Sequence, residues 1–252
     1  MNSLLLSFPP GSLAQDSQKL DAQIVGEGLV AISKPAGMPA EKIIREINRR
    51  LDENIPSFKN LGLDKALSVY SGEEEFSGLI LIAGTKNYAR WRDALGSALM
   101  TFHFDFLTAR AAAIENDFFC DLPVAKHFTE PRAVISSTTG KKSRSDFHRL
   151  ASTATIEKWR ATSTFPRFHQ IRIHAAECGI SILADSLYGD NPAVTIADLR
   201  PKKRLNKGDD KAFYPHLCLH LARIDITIGG NCVSINAAAP KGLATLEKKL
   251  GL

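Results

Sequence analysis

Residues 77–83, Ser-Gly-Leu-Ile-Leu-Ile-Ala, carry neither a charge nor a helical period, and so short an apolar run reads as a strand covered on both faces. The pattern around it is mostly strand-like. Leu29-Val30-Ala31-Ile32 ends in the turn Lys34-Pro35-Ala36-Gly37, Phe102-His103-Phe104-Asp105-Phe106 alternates as a half-buried strand, and 133–136, 145–150 and 156–164 read the same way. Segments 217–228 and 233–235 pair around Gly229-Gly230-Asn231. Helical spacing shows in Ile43, Ile44, Ile47 and Leu51, in an amphipathic stretch that stops before Pro56, and again over about 87–99. Mixed strands with few helices predict an α+β fold with a large, mainly antiparallel sheet. Residues 1–25, with Pro9-Pro10-Gly11 and little periodicity, are expected to form an irregular arm ahead of one domain over 26–252.

The 252 residues are 44% hydrophobic, enough to build a core. A net charge of +5 favours anionic partners, yet 32 basic residues stand against 27 acidic ones, so any basic surface must be local. Cys120, Cys178, Cys218 and Cys232 form no CxxC pair and no metal spacing with the histidines, which predicts buried reduced thiols and fits a reducing cytoplasm. Residues 1–8 lack the basic flank of an export signal, and no apolar run is long enough to span a bilayer, so a cytoplasmic monomer without membrane contact is expected.

The densest chemistry lies in Phe165-Pro166-Arg167-Phe168-His169-Gln170-Ile171-Arg172-Ile173-His174. Arginine forks suit phosphates and base edges, while His, Gln and Phe can hydrogen-bond to or stack on an exposed base. The same ten residues would also suit a strand running into a helix with solvated polar groups. The segment Arg200-Pro201-Lys202-Lys203-Arg204-Leu205-Asn206-Lys207-Gly208-Asp209-Asp210-Lys211 reads as a solvated loop, or as a flexible basic loop that orders on RNA.

Six motifs carry a family resemblance: Lys34-Pro35-Ala36-Gly37, Ser77-Gly78-Leu79-Ile80, Gly140-Lys141-Lys142-Ser143-Arg144-Ser145, the Arg167–His174 element, Asp185-Ser186-Leu187-Tyr188-Gly189 and Leu217-Cys218-Leu219-His220. In order and rough spacing they resemble the RluA-type RNA pseudouridine synthases, from about residue 29 to 240. The resemblance implies the pseudouridine synthase fold with a central cleft, a structured RNA partner (rRNA or tRNA) and isomerisation of uridine to pseudouridine. It implies neither a metal nor another cofactor.

By the same resemblance the nucleophile register, four residues before Ser77-Gly78, holds Glu73 where the family has Asp, and Ser71 where it has Arg. Glu is one methylene longer, and a misplacement of about 1 Å can lower a rate on the order of a hundredfold. Phe106 aligns with the family's tyrosine as a wall for the base, without the hydroxyl. Arg167 takes the part of the cation that keeps the carboxylate ionised. Lys34, Lys141, Lys142, Arg144, His169, Gln170 and Arg172 are the candidate RNA contacts, although Lys34 equally suits a turn with a structural salt bridge. His174 and His220 fall on apolar stretches and are expected to be satisfied core histidines. Three readings of the acid stay open: a working Glu73, an acidic surface loop in a non-catalytic RNA-binding or chaperone-like descendant, and Asp64 acting through a loop insertion.

Overall fold

The computed structural model describes residues 2–111, 114–200 and 208–252, and they form two compact units, each discontinuous in sequence. Most of the basic segment, 201–207, lies outside the described residues.

The first unit comprises Met1–Thr101 and Ala222–Ala238. Its first half runs β1 (Asn2–Phe8), β2 (Gln18–Gly26), β3 (Leu29–Lys34), α1 (Ala40–Asp52) and α2 (Pro56–Lys59). There follow β4 (Leu67–Tyr70), β5 (Ser77–Ala83) and α3 (Tyr88–Gly96). The expected irregular arm is instead a strand pair. Leu6 lies opposite Leu20 in an antiparallel ladder, and Leu4, Leu6 and Phe8 alternate onto a core shared with Ile43, Ile47 and Phe58. Phe8 meets Phe58 edge-on at 5.3 Å. Burying these side chains by turns needs an extended backbone, whatever Pro9-Pro10-Gly11 suggests about the turn that follows.

β3 pairs antiparallel with β2 and with β5, and all seven residues of β5 are buried, as an uncharged run requires.

The second unit comprises Phe102–Leu221 and Ala239–Leu252. Its strands are β6 (Met100–Ala109), β7 (Asp117–Cys120), β8 (Val124–Lys126), β9 (Ala133–Ile135), β10 (Ser145–Ser152) and β11 (Ile156–Ser163), followed by α4 (Gln170–Glu177). β6, β11, β10 and β7 lie side by side and antiparallel, and Phe118, Phe147 and Trp159 cluster on them. β8 and β9 form a separate pair on which Ile173 of α4 packs.

The chain then completes both units. β12 (Leu219–Ile228) and β13 (Asn231–Asn236) are antiparallel about Gly229 and Gly230, whose positive φ values of 54° and 83° suit a two-residue hairpin. Thr227 N–H donates to the Leu99 carbonyl and Gln23 Nε2 to that of Asn236, which ties the hairpin into the first unit. α5 (Lys241–Leu250) returns to the second. Every strand pair with a described register is antiparallel, so the α+β class expected from the sequence is the one observed. Two cysteines depart from expectation: Cys232 is exposed on β13 and Cys178 is partly exposed, whereas Cys120 and Cys218 are buried.

Candidate functional site

In the first unit the acidic loop 71–76 joins β4 to β5, and it is braced from beneath. Lys34 ends β3 with only 3% of its surface exposed, and its Nζ donates to the carbonyls of Pro35 (3.1 Å), Glu74 (3.1 Å) and Phe76 (2.6 Å). An ammonium has three donors, so Lys34 is fully occupied and is not an RNA contact. Its partners are carbonyls where the turn reading foresaw a carboxylate. Gly37 N–H adds a bond of 2.8 Å to the same Glu74 carbonyl. Burial lowers the Lys34 ammonium from 10.5 to about 8, against the opposing pull of Glu74, Glu75 and Glu73.

The residue before Glu73 favours glycine. Gly72 has φ +65°, and a Cβ there would stand 3.1 Å from the Phe76 ring. Glu73 is partly buried, and its charge, after burial itself, pushes the Tyr70 hydroxyl well above its usual range. Asp64 is disposed of by position. Its Oδ1 accepts from Thr85 N–H at 2.9 Å, at the end of β5 opposite to Ser77, so about 20 Å of strand separates it from the nucleophile register.

In the second unit the Arg167–His174 element divides into an inner and an outer set of side chains. Arg172 is buried in a bidentate ion pair with Asp185, with Nε to Oδ2 and Nη2 to Oδ1 both 2.8 Å. Its Nη1 donates to His169 Nε2 at 3.2 Å, which leaves Nδ1 as the donor to the Tyr188 hydroxyl at 2.8 Å. Ala133 N–H also donates to that hydroxyl. Gln170 is equally consumed: its Nε2 donates to the Arg144 carbonyl, Ser145 Oγ and Ser163 Oγ, while its Oε1 accepts from Arg167 N–H. Arg172, His169 and Gln170 are therefore framework, and their expected contacts with RNA are corrected. His169 caps α4 with φ +56°, a left-handed conformation that costs a non-glycine residue roughly 1 kcal/mol or more and is sustained here by this network and by Phe168 stacked at 3.8 Å. His174 is satisfied by Ser145 and the Leu122 carbonyl, as expected of a core histidine, and His220 is buried.

The outer set lines two grooves that share Phe165 and Arg167. One, of about 500 Å³, takes Lys142, Arg144 and Thr164 with Asp121; the other, of about 530 Å³, takes Lys126, Lys141, Thr139 and Phe168. Each thus gathers three cations, counting Arg167, against at most one acid. Aromatic faces stand beside the cations. The Arg144 guanidinium lies 4.2 Å over Phe119, Arg167 is 5.4 Å over Phe165 while its Nε donates to the Lys142 carbonyl, and Lys126 is 5.1 Å over Phe168. Phe119, Phe165 and Phe168 are all exposed, and Phe128, at the β8–β9 turn, is 99% exposed. Phe106, by contrast, is 1% exposed and packs edge-on against Phe147 at 6.1 Å, so it belongs to the core and cannot face a base. Sequence reasoning missed Lys126 and Phe119, which no motif contains. It also missed Asp185 and Tyr188 as partners, although both stood in a quoted motif.

No protein-family model matches the chain. Among curated proteins it is 30% identical over 170 residues to the "Ribosomal large subunit pseudouridine synthase C" of Rickettsia felis, covering 65% of this chain and 54% of that protein. It is 27% identical over 138 residues to the "Ribosomal large subunit pseudouridine synthase D" of Haemophilus ducreyi, covering 52% and 39%. The chain thus spans about half the length, or less, of these relatives. Among solved structures, "Human RNA Pseudouridylate Synthase Domain Containing 4" superposes with a TM-score of 0.70 at 15% identity over 90% of this chain and 92% of that one. "Human RNA Pseudouridylate Synthase Domain Containing 1" gives 0.58 at 16% identity over 88% and 84%. Identities that low speak for the fold alone, which is the pseudouridine synthase fold; in sequence the chain is similar to RluA-type pseudouridine synthases over part of their length.

Proposed function

We propose that this protein binds structured RNA through the two grooves of the second unit and isomerises a uridine with Glu73 as its carboxylate, at a rate below that of an aspartate-bearing relative. The observation that carries this reading is the construction of the acidic loop. A solvated acidic turn needs no buried ammonium beneath it and no closely packed left-handed glycine, yet Lys34 and Gly72 supply both, and Glu73 is partly buried. The reaction breaks the N-glycosidic bond, turns the base over and joins its C5 to the ribose. It is redox-neutral, so it asks for a placed carboxylate and a base drawn out of its stack. Phe165 and Phe168 offer exposed faces to unstacked bases, and Lys126, Lys141, Lys142 and Arg144 suit the phosphates.

A second reading, an RNA-binding protein without the chemistry, is favoured by Phe106, which is buried and lacks the family's hydroxyl. Tritium release from RNA labelled at uridine C5 separates the two. Slow release by the wild type that disappears in Glu73→Ala supports the enzyme. No release, with RNA binding intact, supports the binding protein. Release that persists in Glu73→Ala removes Glu73 from the mechanism.

A further inference from the structure

Of the 13 phenylalanines in the chain, Phe128 stands apart. It is 99% exposed, whereas the next most exposed, Phe119, is at 53% beneath the Arg144 guanidinium. Phe165 and Phe168 also have cations over their rings, Arg167 and Lys126. Among the described residues neither a ring nor a cation lies over Phe128. The turn that carries it is nevertheless firmly built. His127 N–H donates to the Arg132 carbonyl at 2.8 Å, and His127 Nδ1 accepts from the N–H groups of Glu130 at 3.0 Å and Thr129 at 3.4 Å, which closes the backbone around Phe128. Arg132 pairs with Glu130 at the tip. At the root of the hairpin Val124 exchanges two backbone bonds with Lys141, of 3.1 and 3.0 Å, and Ala133 N–H donates to the Tyr188 hydroxyl. Val124 and Ala133 pack there with Ile173 of α4. The hairpin is therefore rooted in the core and holds one phenyl ring in water, with the backbone freedom of the turn already lost before anything binds.

We propose that Phe128 is a wedge that enters the base stack of bound RNA and parts two neighbouring bases. The inference rests on the RNA-binding half of the reading above and not on Glu73. Two observations favour RNA over a protein partner. The residues flanking the ring, His127, Thr129, Glu130, Pro131 and Arg132, include no second large apolar side chain, so the tip offers no patch on which a protein surface could close. A slot between two bases, by contrast, covers both faces of a single ring. Lys126, two residues before Phe128, lines the groove it shares with Lys141 and Arg167, so RNA drawn to these cations is brought to the hairpin. Parting a stack is least costly where pairing is already absent, which makes an RNA with an unpaired bulge or loop the preferred substrate class.

The native tryptophans, Trp91 and Trp159, are both buried, so Phe128→Trp in the full chain adds an indole that acrylamide reaches when the other two are shielded. The probes are a synthetic RNA stem-loop with a bulged uridine and a fully paired RNA duplex of the same length. The introduced indole should be quenched freely in the protein alone and should lose most of that accessibility on the bulged RNA, more than on the duplex. In filter binding to the bulged RNA, Phe128→Ala should weaken affinity about tenfold without changing the salt slope, and Phe128→Trp should restore it. Both variants should melt with the wild type, because the ring touches nothing in the fold. An indole that stays open to acrylamide while RNA is bound, or wild-type affinity in Phe128→Ala, would overturn the wedge and leave the RNA-binding reading standing. Failure of the wild type to bind either RNA would overturn both. Shielding that grows with protein concentration in the absence of RNA would assign the tip to contact between copies of the chain, and would also overturn the proposal.

Discussion

The acidic loop of the first unit and the Arg167–His174 element of the second are both held by a buried cation, but by cations of different kinds. Lys34 holds loop 71–76 by its backbone, giving each ammonium hydrogen to a carbonyl, and no carboxylate answers its charge in those bonds. Arg172 holds the start of α4 through side chains, with a full negative charge on Asp185 opposite it and His169 and Tyr188 beyond. The first brace is thus under desolvation pressure and has a lowered pKa, whereas the second is neutralised in place. In each case the charge inside the motif is scaffold, and the groups that can meet a substrate are its neighbours.

The sharpest way to break this contrast is to remove one member of the neutralised brace. Arg172→Met leaves Asp185 buried without its counter-charge and should cost about 3–5 kcal/mol in urea unfolding, while the double change with Asp185→Leu should recover much of that. A single-variant loss below about 1 kcal/mol would mean that Asp185 finds water, and that the second brace is no stiffer than the first.

The lysine brace should reveal itself by pH. Its folded value of about 8 lies below the unfolded 10.5, so between these limits the unfolded chain binds more protons and stability rises with pH. The stability of wild type relative to Lys34→Met should therefore increase by up to about 3 kcal/mol from pH 7.5 to pH 10.5. Tyr70 acts in the opposite sense above pH 10, since its raised pKa keeps the folded hydroxyl protonated, but it is present in both proteins and drops out of the difference. A flat difference would show that the Lys34 ammonium is not under pressure.

For the groups outside the braces, Lys142→Glu with Arg144→Glu should weaken binding to structured RNA on the order of a hundredfold at moderate salt and flatten its salt dependence, as measured by filter binding. Affinity that survives the double reversal would move the RNA face elsewhere. Phe168→Ala should have the smallest effect, about 1 kcal/mol of affinity with little change in salt slope, because stacking carries no charge.

Much of the fold was legible because burial writes itself as period and run: β5, α1 and the Gly229-Gly230 hairpin stand where the pattern put them. β1 was hidden by the strong turn signal of Pro9-Pro10-Gly11, although Leu4, Leu6 and Phe8 alternate ahead of it. Phe106 could have been corrected by parity, since it shares a face with Phe102 and Phe104, both of which are buried. The motif charges were opaque for another reason. Spacing shows that an arginine and a carboxylate exist, but not that Arg172 turns inward to meet one 13 residues away while Arg144 turns outward to Asp146 and an aromatic ring.

The interruption of each unit by the other has a consequence for how the protein is made. Residues 222–238 complete the first unit and 239–252 the second, so a ribosome has emitted more than the first 220 residues before either core can close. Neither unit is available as an early, self-sufficient folding body, and the contacts that finish them span most of the sequence. Such closure is slow and leaves buried strands such as β5 waiting in a nascent chain, where a chaperone that shields apolar segments has its longest opportunity to act.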